Sequence, residues 1–364
     1  MHTAICLSLI GGVIVGVFGV LASRSLLILM RVPQDSVLPL STLYLRIYFA
    51  GMPFNLLYNF GSSLCRARGD SRTPLLFLLA AGVSNLGLNI FFVAVCKMDV
   101  AGVALGTVIE HKLTSTLVLA HLMRTKGHCR VRLRALRIHR DALGDILRIG
   151  LPAGVQGCIF SFSNVIIQSS INSFGKAAIT ANAEAANIEG FVYTSMNAVS
   201  QACLTFTGQN YGAKKAKNMD VVLADSLLIV VCMGLALGLG VYFSGGLLMR
   251  IYTKSDEVVR LGVDRMGVIC TTYFLCGVME VLVGSLRGMG HSVLPMAVSV
   301  VGVCGLRIVY IFTVFAYYNT PFVLYLSYPV SWTLTILAHA VSLFFARKKE
   351  HRRLSELSVP APQA

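Results

Sequence analysis

Charged residues are scarce. Asp, Glu, Lys and Arg make up 13% of the 364 residues, where an average soluble domain carries roughly 25%. Acidic residues are the scarcer kind, 16 against 31 Lys and Arg. Apolar residues fill 55% of the chain and mean hydropathy is +0.73; no soluble core hides that much apolar surface, so the bilayer must be the solvent. Cysteine pairing is also lacking. The ten cysteines contain no C-x-x-C and no metal spacing and fall mostly inside apolar runs, which reads as buried thiols and excludes a zinc site or a disulfide framework. No H-E-x-x-H, no G-x-S-x-G and no paired intramembrane aspartates occur, so a membrane-embedded hydrolase, and an enzyme generally, finds no support. A formal charge of +15 invites nucleic-acid binding, but the basic residues are spread over short loops. Even the densest basic stretch, 124–148, lacks interleaved aromatic residues, and no nucleic-acid partner is expected.

What fills the sequence instead is a series of ten apolar stretches near the roughly 20 residues that a spanning helix needs: 4–22, 43–64, 75–96, 100–122, 150–173, 184–206, 222–249, 262–285, 293–316 and 321–346. The fold class is therefore an all-α membrane protein of ten helices, four and then six. The first stretch is not a cleaved signal peptide, because no basic segment precedes it and no small-residue cleavage site ends it before Leu29. Ten spans put both termini on one side. Alternate loops and the C-terminal tail hold twenty Lys and Arg, among them Arg66, Arg68, Arg134, Lys214, Arg287 and Arg347, against seven on the opposite side: Arg24, Arg31, Lys97, Lys176, Arg250, Lys254 and Arg260. Positive charge marks the cytoplasmic face, so both termini are expected inside a bacterial inner or plasma membrane. Four regions follow: 1–123 as an amino-terminal lobe, 124–148 as a basic cytoplasmic linker, 149–346 as a carboxy-terminal lobe and 347–364 as a tail.

The two lobes are copies of one unit. Cys65-Arg66-Ala67-Arg68-Gly69-Asp70-Ser71-Arg72-Thr73-Pro74 aligns with Leu286-Arg287-Gly288-Met289-Gly290-His291-Ser292-Val293-Leu294-Pro295 at a constant offset of 221, matching Arg66 with Arg287, Gly69 with Gly290, Ser71 with Ser292 and Pro74 with Pro295. Gly19 with Gly240, Ser23 with Ser244 and Asp35 with Asp256 keep the same offset. Both loops lie on one face, so the repeats share their topology and are related by an axis along the membrane normal. Glycine permits the reversal, and proline starts the next helix. The second copy begins near Ala142 and has six spans while the first has four, so two helices, about eighty residues, are expected upstream of Met1.

The carboxy-terminal half reads Gly150-Leu151-Pro152-Ala153-Gly154-Val155-Gln156, then Asn164 and Asn172, then Gly208-Gln209-Asn210-Tyr211-Gly212-Ala213, then Leu286-Arg287-Gly288-Met289-Gly290. With G-Q-N-x-G-A and R-G-x-G-x-S-x-x-P at repeat spacing, this pattern resembles the MATE family of multidrug and toxic compound extrusion transporters, within the superfamily that also holds polysaccharide and lipid-linked oligosaccharide flippases. The resemblance covers essentially the whole chain. It implies two six-helix lobes and secondary active efflux of cationic or amphipathic small molecules, in exchange for Na+ or H+, by alternating access and as a monomer. No organic cofactor is implied beyond that coupling ion. In many bacterial members the first helix carries an acidic ion-binding residue, and no position here receives that role.

Ionisable groups inside spans cost about 2.5–3.5 kcal/mol each, which makes them site candidates. Arg46 and Arg265 lie near span ends and read as snorkelling residues. The run Glu110-His111-Lys112 cannot all face one cavity, since neighbours point about 100° apart, and Glu110 is kept as the candidate. The span 184–206 is unusually polar, with Asn187, Glu189, Tyr193, Ser195 and Asn197, so it must face protein or water. Counting about 1.5 Å per residue groups the rest in two layers: Glu189, Arg307 and Asn164 in the outer half, with Glu189 and Arg307 as an ion pair, and Glu280 with Gln156 nearer the cytoplasm. Glu280 has no depth-matched cation and is the coupling candidate. A flippase for a lipid-linked saccharide and an inactive amino-terminally truncated transporter fragment are the competing functional readings.

Overall fold

In a computed structural model the described residues are 1–29, 37–125 and 130–358, with backbone alone for Leu133 and 354–358. Arg31, Lys126 and Cys129, the Asp35 match of the repeat and residues 359–364 of the tail lie outside them. Twelve helices carry these residues, and no strand occurs among them. They are α1 (His2–Leu29), α2 (Val37–Ala50), α3 (Met52–Ala67), α4 (Arg72–Val95), α5 (Asp99–Arg124), α6 (Arg140–Asn172), α7 (Lys176–Gly212), α8 (Ala216–Phe243), α9 (Gly245–Tyr252), α10 (Asp256–Gly288), α11 (Val293–Tyr318) and α12 (Pro321–Ser358).

Each of the ten expected passes is present. Eight are long and apolar enough to cross a membrane as single helices. The second pass instead breaks at Gly51 into α2 and α3, because Pro53 at the start of α3 has no N–H to continue the ladder from α2. The other exception is α7, whose polar residues lower its hydropathy. Outward-facing side chains such as Phe18, Phe243 and Phe191 are two-thirds or more exposed, as lipid-facing residues should be.

The chain divides into two compact units, Met1–Ile146 and Leu147–Ala364. The boundary falls inside α6, and described residues of the basic stretch 124–148 pack on the first unit or belong to α6. Val131 is buried and its N–H donates to the Leu122 carbonyl at 3.1 Å, His139 N–H donates to the Thr3 hydroxyl at 3.2 Å, and α6 already begins at Arg140. The expected tail 347–364 likewise starts as the last turns of α12.

The repeat is visible atom by atom in the two loops. Gly69 and Gly290 have φ of +87° and +85°, a left-handed conformation that glycine reaches without a Cβ penalty. Gly69 N–H donates to Arg66 O at 2.9 Å and Asp70 N–H to Cys65 O at 3.0 Å; Gly290 and His291 repeat these bonds to Arg287 O and Leu286 O at 2.9 and 3.0 Å. This is the Schellman closure of a helix, made twice. Each loop then enters a helix that widens into a π-turn, Phe91–Val95 in α4 and Ile311–Phe315 in α11.

In the second unit α10 is the central helix, packed by α7, α8 and α12. Close approach there depends on a small residue: a Cβ on Gly284 would lie 2.8 Å from the Ser200 carbonyl oxygen of α7. Such contacts let backbones touch where lipid supplies no hydrophobic force between helices. The tight packing fixes the height of α10 against α7, which positions the site below.

Candidate functional site

Polar residues at helical spacing on four helices of the second unit face one another. On α6 they are Asn164 and Gln168, spaced i and i+4; on α7 Asn182, Glu189 and Tyr193, spaced i, i+7 and i+11; on α10 Arg265 and Tyr273; on α12 Tyr328. Each set repeats near the 3.6-residue period and so occupies one face. Together they wall a cavity of about 330 Å³.

Its charged element is a bidentate pair. Arg265 Nε donates to Glu189 Oε1 at 2.9 Å and Nη2 to Oε2 at 2.8 Å, while Nη1 donates to the Asn182 carbonyl oxygen. Both partners are about 95% buried. Asn182 Nδ2 donates to Gln168 Oε1 at 2.8 Å, and Gln168 Nε2 donates to Asn172 Oδ1 at 3.0 Å, so the chain of bonds continues across α7 and α6. On the other side the Arg265 guanidinium lies 5.4 and 5.8 Å from the ring centroids of Tyr325 and Tyr328. Planar fork geometry and aromatic faces suit arginine better than lysine here.

Arg307 of α11 is a second buried guanidinium, 4.2 Å from the Tyr328 centroid, with Nη2 donating to Ser331 at 3.1 Å. Trp332 packs behind, its ring 5.5 Å from Tyr273 and 5.7 Å from Tyr328. Pro329, inside α12, removes the amide that would bond the Tyr325 carbonyl, in the turn holding both tyrosines.

Two expectations are corrected. The partner of Glu189 is Arg265, and Arg307 has no carboxylate against it among the described residues. Nor does Arg265 snorkel. Its helix starts at Asp256, not six residues later, which carries Arg265 nine residues, about 14 Å, into the bundle. Asp256 and Glu257, acids in a first helical turn, were the sequence signal for that earlier start.

The remaining candidates separate. Asn164 lines the cavity beside Glu189. Gln156 is buried and accepts from Arg287 Nη2 at 2.8 Å, which ties α6 to the repeated loop. Glu280 is half-buried on α10, and its carboxylate bonds no other described residue, although its backbone carbonyl accepts from the Ser200 hydroxyl at 2.7 Å. Asn187 is exposed and turned from the cavity wall. Glu110 belongs to the first unit, where it lies 3.7 Å from His111 Nδ1; the other ring nitrogen of His111 is 3.0 Å from Asn55 Nδ2.

Sequence reasoning missed Asn182, Gln168 and the aromatic residues of α12. The G-Q-N-Y-G-A segment lies elsewhere: Tyr211 donates to Glu350 Oε2 at 2.9 Å, and the other oxygen of Glu350 is 3.2 Å from His291 Nε2. That motif thus joins the end of α7 and the repeated loop to the end of α12, and it does not line the cavity.

A membrane-embedded bundle of two same-topology units, with a charged cluster opening on a cavity inside one of them, has the architecture of a transporter. A model of the MatE family matches residues 1–92 and 152–313, and the chain belongs to that family, whose members are transporters. The probable multidrug resistance protein YpnP of Bacillus subtilis is 28% identical over 292 residues, covering 80% of this chain; the chain spans 65% of that relative's length. Among solved structures, a mutant of the Vibrio cholerae MATE transporter VcmN aligns over 95% of this chain and 78% of its own, at 19% identity and a TM-score of 0.86. A MOP superfamily transporter from Pyrococcus furiosus, described as having a binding pocket of reversed polarity, aligns over 98% and 78%, at 20% identity and a TM-score of 0.82. These likenesses concern the fold.

Proposed function

We propose that the chain is a secondary efflux transporter, acting as a monomer in the inner or plasma membrane with both termini cytoplasmic. It exports cationic or amphipathic small molecules in exchange for Na+ or H+ by alternating access. The observation that carries this reading is the cluster of Arg265, Glu189 and Asn182 on a cavity inside a bundle that lipid surrounds. Charge so placed is costly and persists where a substrate or ion path needs it. Glu280, a carboxylate within a span that makes no hydrogen bond or ion pair with a described residue, supplies the group that takes up a proton or a cation. Glu189 does not, because both of its oxygens are held. The flippase reading is weaker, since the one arginine on the cavity wall is already held by both oxygens of Glu189 and offers no free charge to a phosphate.

Dye accumulation tests the proposal. Cells expressing the chain should retain less ethidium than empty-vector cells, and collapse of both proton and sodium gradients should abolish the difference. A difference that survives that collapse overturns coupled exchange.

A further inference from the structure

A stripe of exposed side chains runs along α12. Leu334, Leu337, Val341, Phe344 and Lys348 follow one another at spacings of three and four residues, which keeps them on one side of the helix. Phe345 and Lys349 repeat the last step of four beside them, and both phenylalanines are 65% exposed. The other side of the helix, with Leu343, Ala346 and Glu350, is buried. At about 1.5 Å per residue, Lys348 lies about 40 Å from Pro321, where α12 begins, and that is the thickness of a bilayer with its headgroups. Leu337 lies about 16 Å back from Lys348, half of the hydrocarbon core. The apolar part of the stripe therefore runs one leaflet deep, and the two lysines stand at the level of lipid phosphates.

Those lysines lack a counter-charge. Neither Lys348 nor Lys349 makes a hydrogen bond or ion pair with a described residue. The acids nearby are taken. Asp220 of α8 pairs with Arg347 and stands 3.3 Å from His351, while Glu350 is 2.9 Å from the Tyr211 hydroxyl, 3.2 Å from His291 and 3.7 Å from Arg353. Lys217 is exposed and three residues before Asp220, so it joins the lysines of α12 at the same rim. Asp225, the next acid of α8, is about 12 Å further along that helix than Lys217. We propose that this rim binds an anionic phospholipid, whose phosphate meets Lys348, Lys349 and Lys217 and whose acyl chain lies along Phe344, Val341 and Leu337. Basic clusters at the end of a spanning helix attract anionic headgroups. A soluble anion would use the lysines alone; the apolar stripe in line with them selects a lipid. The site is separate from the cavity and independent of what the chain exports.

Native mass spectrometry of the purified, detergent-solubilised protein tests this. With phosphatidylglycerol and phosphatidylcholine of the same acyl chains supplied in equal amounts, the first bound lipid should be phosphatidylglycerol about ten times as often. Equal retention of the two overturns the proposal in the unmodified protein alone, whether or not the variants fold. The double variant Lys348→Gln, Lys349→Gln should lose most of the preference, with an unchanged melting temperature as the check on folding; full preference in it overturns the site. Arg132→Gln with Arg134→Gln removes the same charge from exposed positions of the first unit and should leave the preference intact. Equal losses from the two pairs assign the preference to overall charge and overturn the site. Displacement of phosphatidylglycerol by excess ammonium phosphate in the binding step also overturns it, by assigning the lysines to a soluble anion. No gradient or exported compound enters the measurement, so its result is independent of dye efflux.

Discussion

Arg265 on α10 holds both carboxylate oxygens of Glu189 on α7, at 2.9 and 2.8 Å, seventy-six residues apart in sequence. This pair, and not one with Arg307, makes Glu189 tolerable inside the bundle. Removing one partner leaves a buried charge uncompensated, at about 3–5 kcal/mol, whereas removing both leaves none. Glu189→Gln and Arg265→Met should each lower the thermal stability of the purified protein, and the double variant should regain most of the loss. Arg307→Met should give no rescue of Glu189→Gln.

Glu280 should behave differently. Its carboxylate makes no hydrogen bond or ion pair with a described residue, and Arg287, within its electrostatic reach, keeps its hydrogen bond to Gln156, so protein abundance should stay near normal in Glu280→Gln. Gradient-driven dye efflux should be lost. Full efflux by Glu280→Gln removes this residue from the coupling mechanism.

Gly69 and Gly290 have open space where a Cβ would stand, so replacement there strains only the backbone. Gly69→Ala and Gly290→Ala should each cost about 1–2 kcal/mol, and Asn should cost less than Ala in both loops, since Asn tolerates the left-handed region. Gly284→Ala should cost more, because its Cβ meets the Ser200 carbonyl at 2.8 Å, and backbone cannot move aside as a side chain can. Melting temperatures of the five variants rank these two kinds of glycine.

Asp70 lies in the loop between α3 and α4. Burial pushes its carboxyl upward, but hydrogen bonds from the Thr73 amide and hydroxyl and the nearby His121 outweigh that and hold it below 3.8. A group depressed in the fold contributes stability above its unfolded value, and that contribution is lost as pH falls through the folded value. Acidification below 3.8 should therefore erode the melting temperature less steeply in Asp70→Asn than in the unmodified protein. The effect should be modest, since the His121 contact at 3.1 Å is about one-third exposed. Parallel pH series of the two proteins measure it.

Orientation is open to labelling. With basic loops inside, an impermeant thiol reagent should reach Cys placed at Asn319 or Lys176 in intact cells and should miss Cys placed at Arg134. Labelling at Arg134 reverses the topology.

Period and composition suffice for much of this protein. An apolar run of bilayer length has helix as its available structure, because lipid offers no partner to the backbone. Ten passes were thus legible, as was the repeated loop, since its reversal needs glycine at one position and tolerates proline a few residues later. Asn164 and Glu189 were placed at one depth by counting rise per residue, and both line the same cavity.

Counting gives depth along a helix, but not rotation about its axis or the true starting residue. A six-residue error in where α10 begins put Arg265 at the membrane surface, when it lies beside Glu189. Asn187 and Glu189 are two residues apart on the same polar helix, yet only Glu189 faces the cavity, because α7 presents one face to α6 and α10. The sequence by itself determined the solvent, the helices and the repeat, which depend on local backbone satisfaction and residue type. Tertiary structure decided which charge meets which, because an ion pair needs two side chains within about 3 Å, and only the packing of α7 against α10 brings these two together.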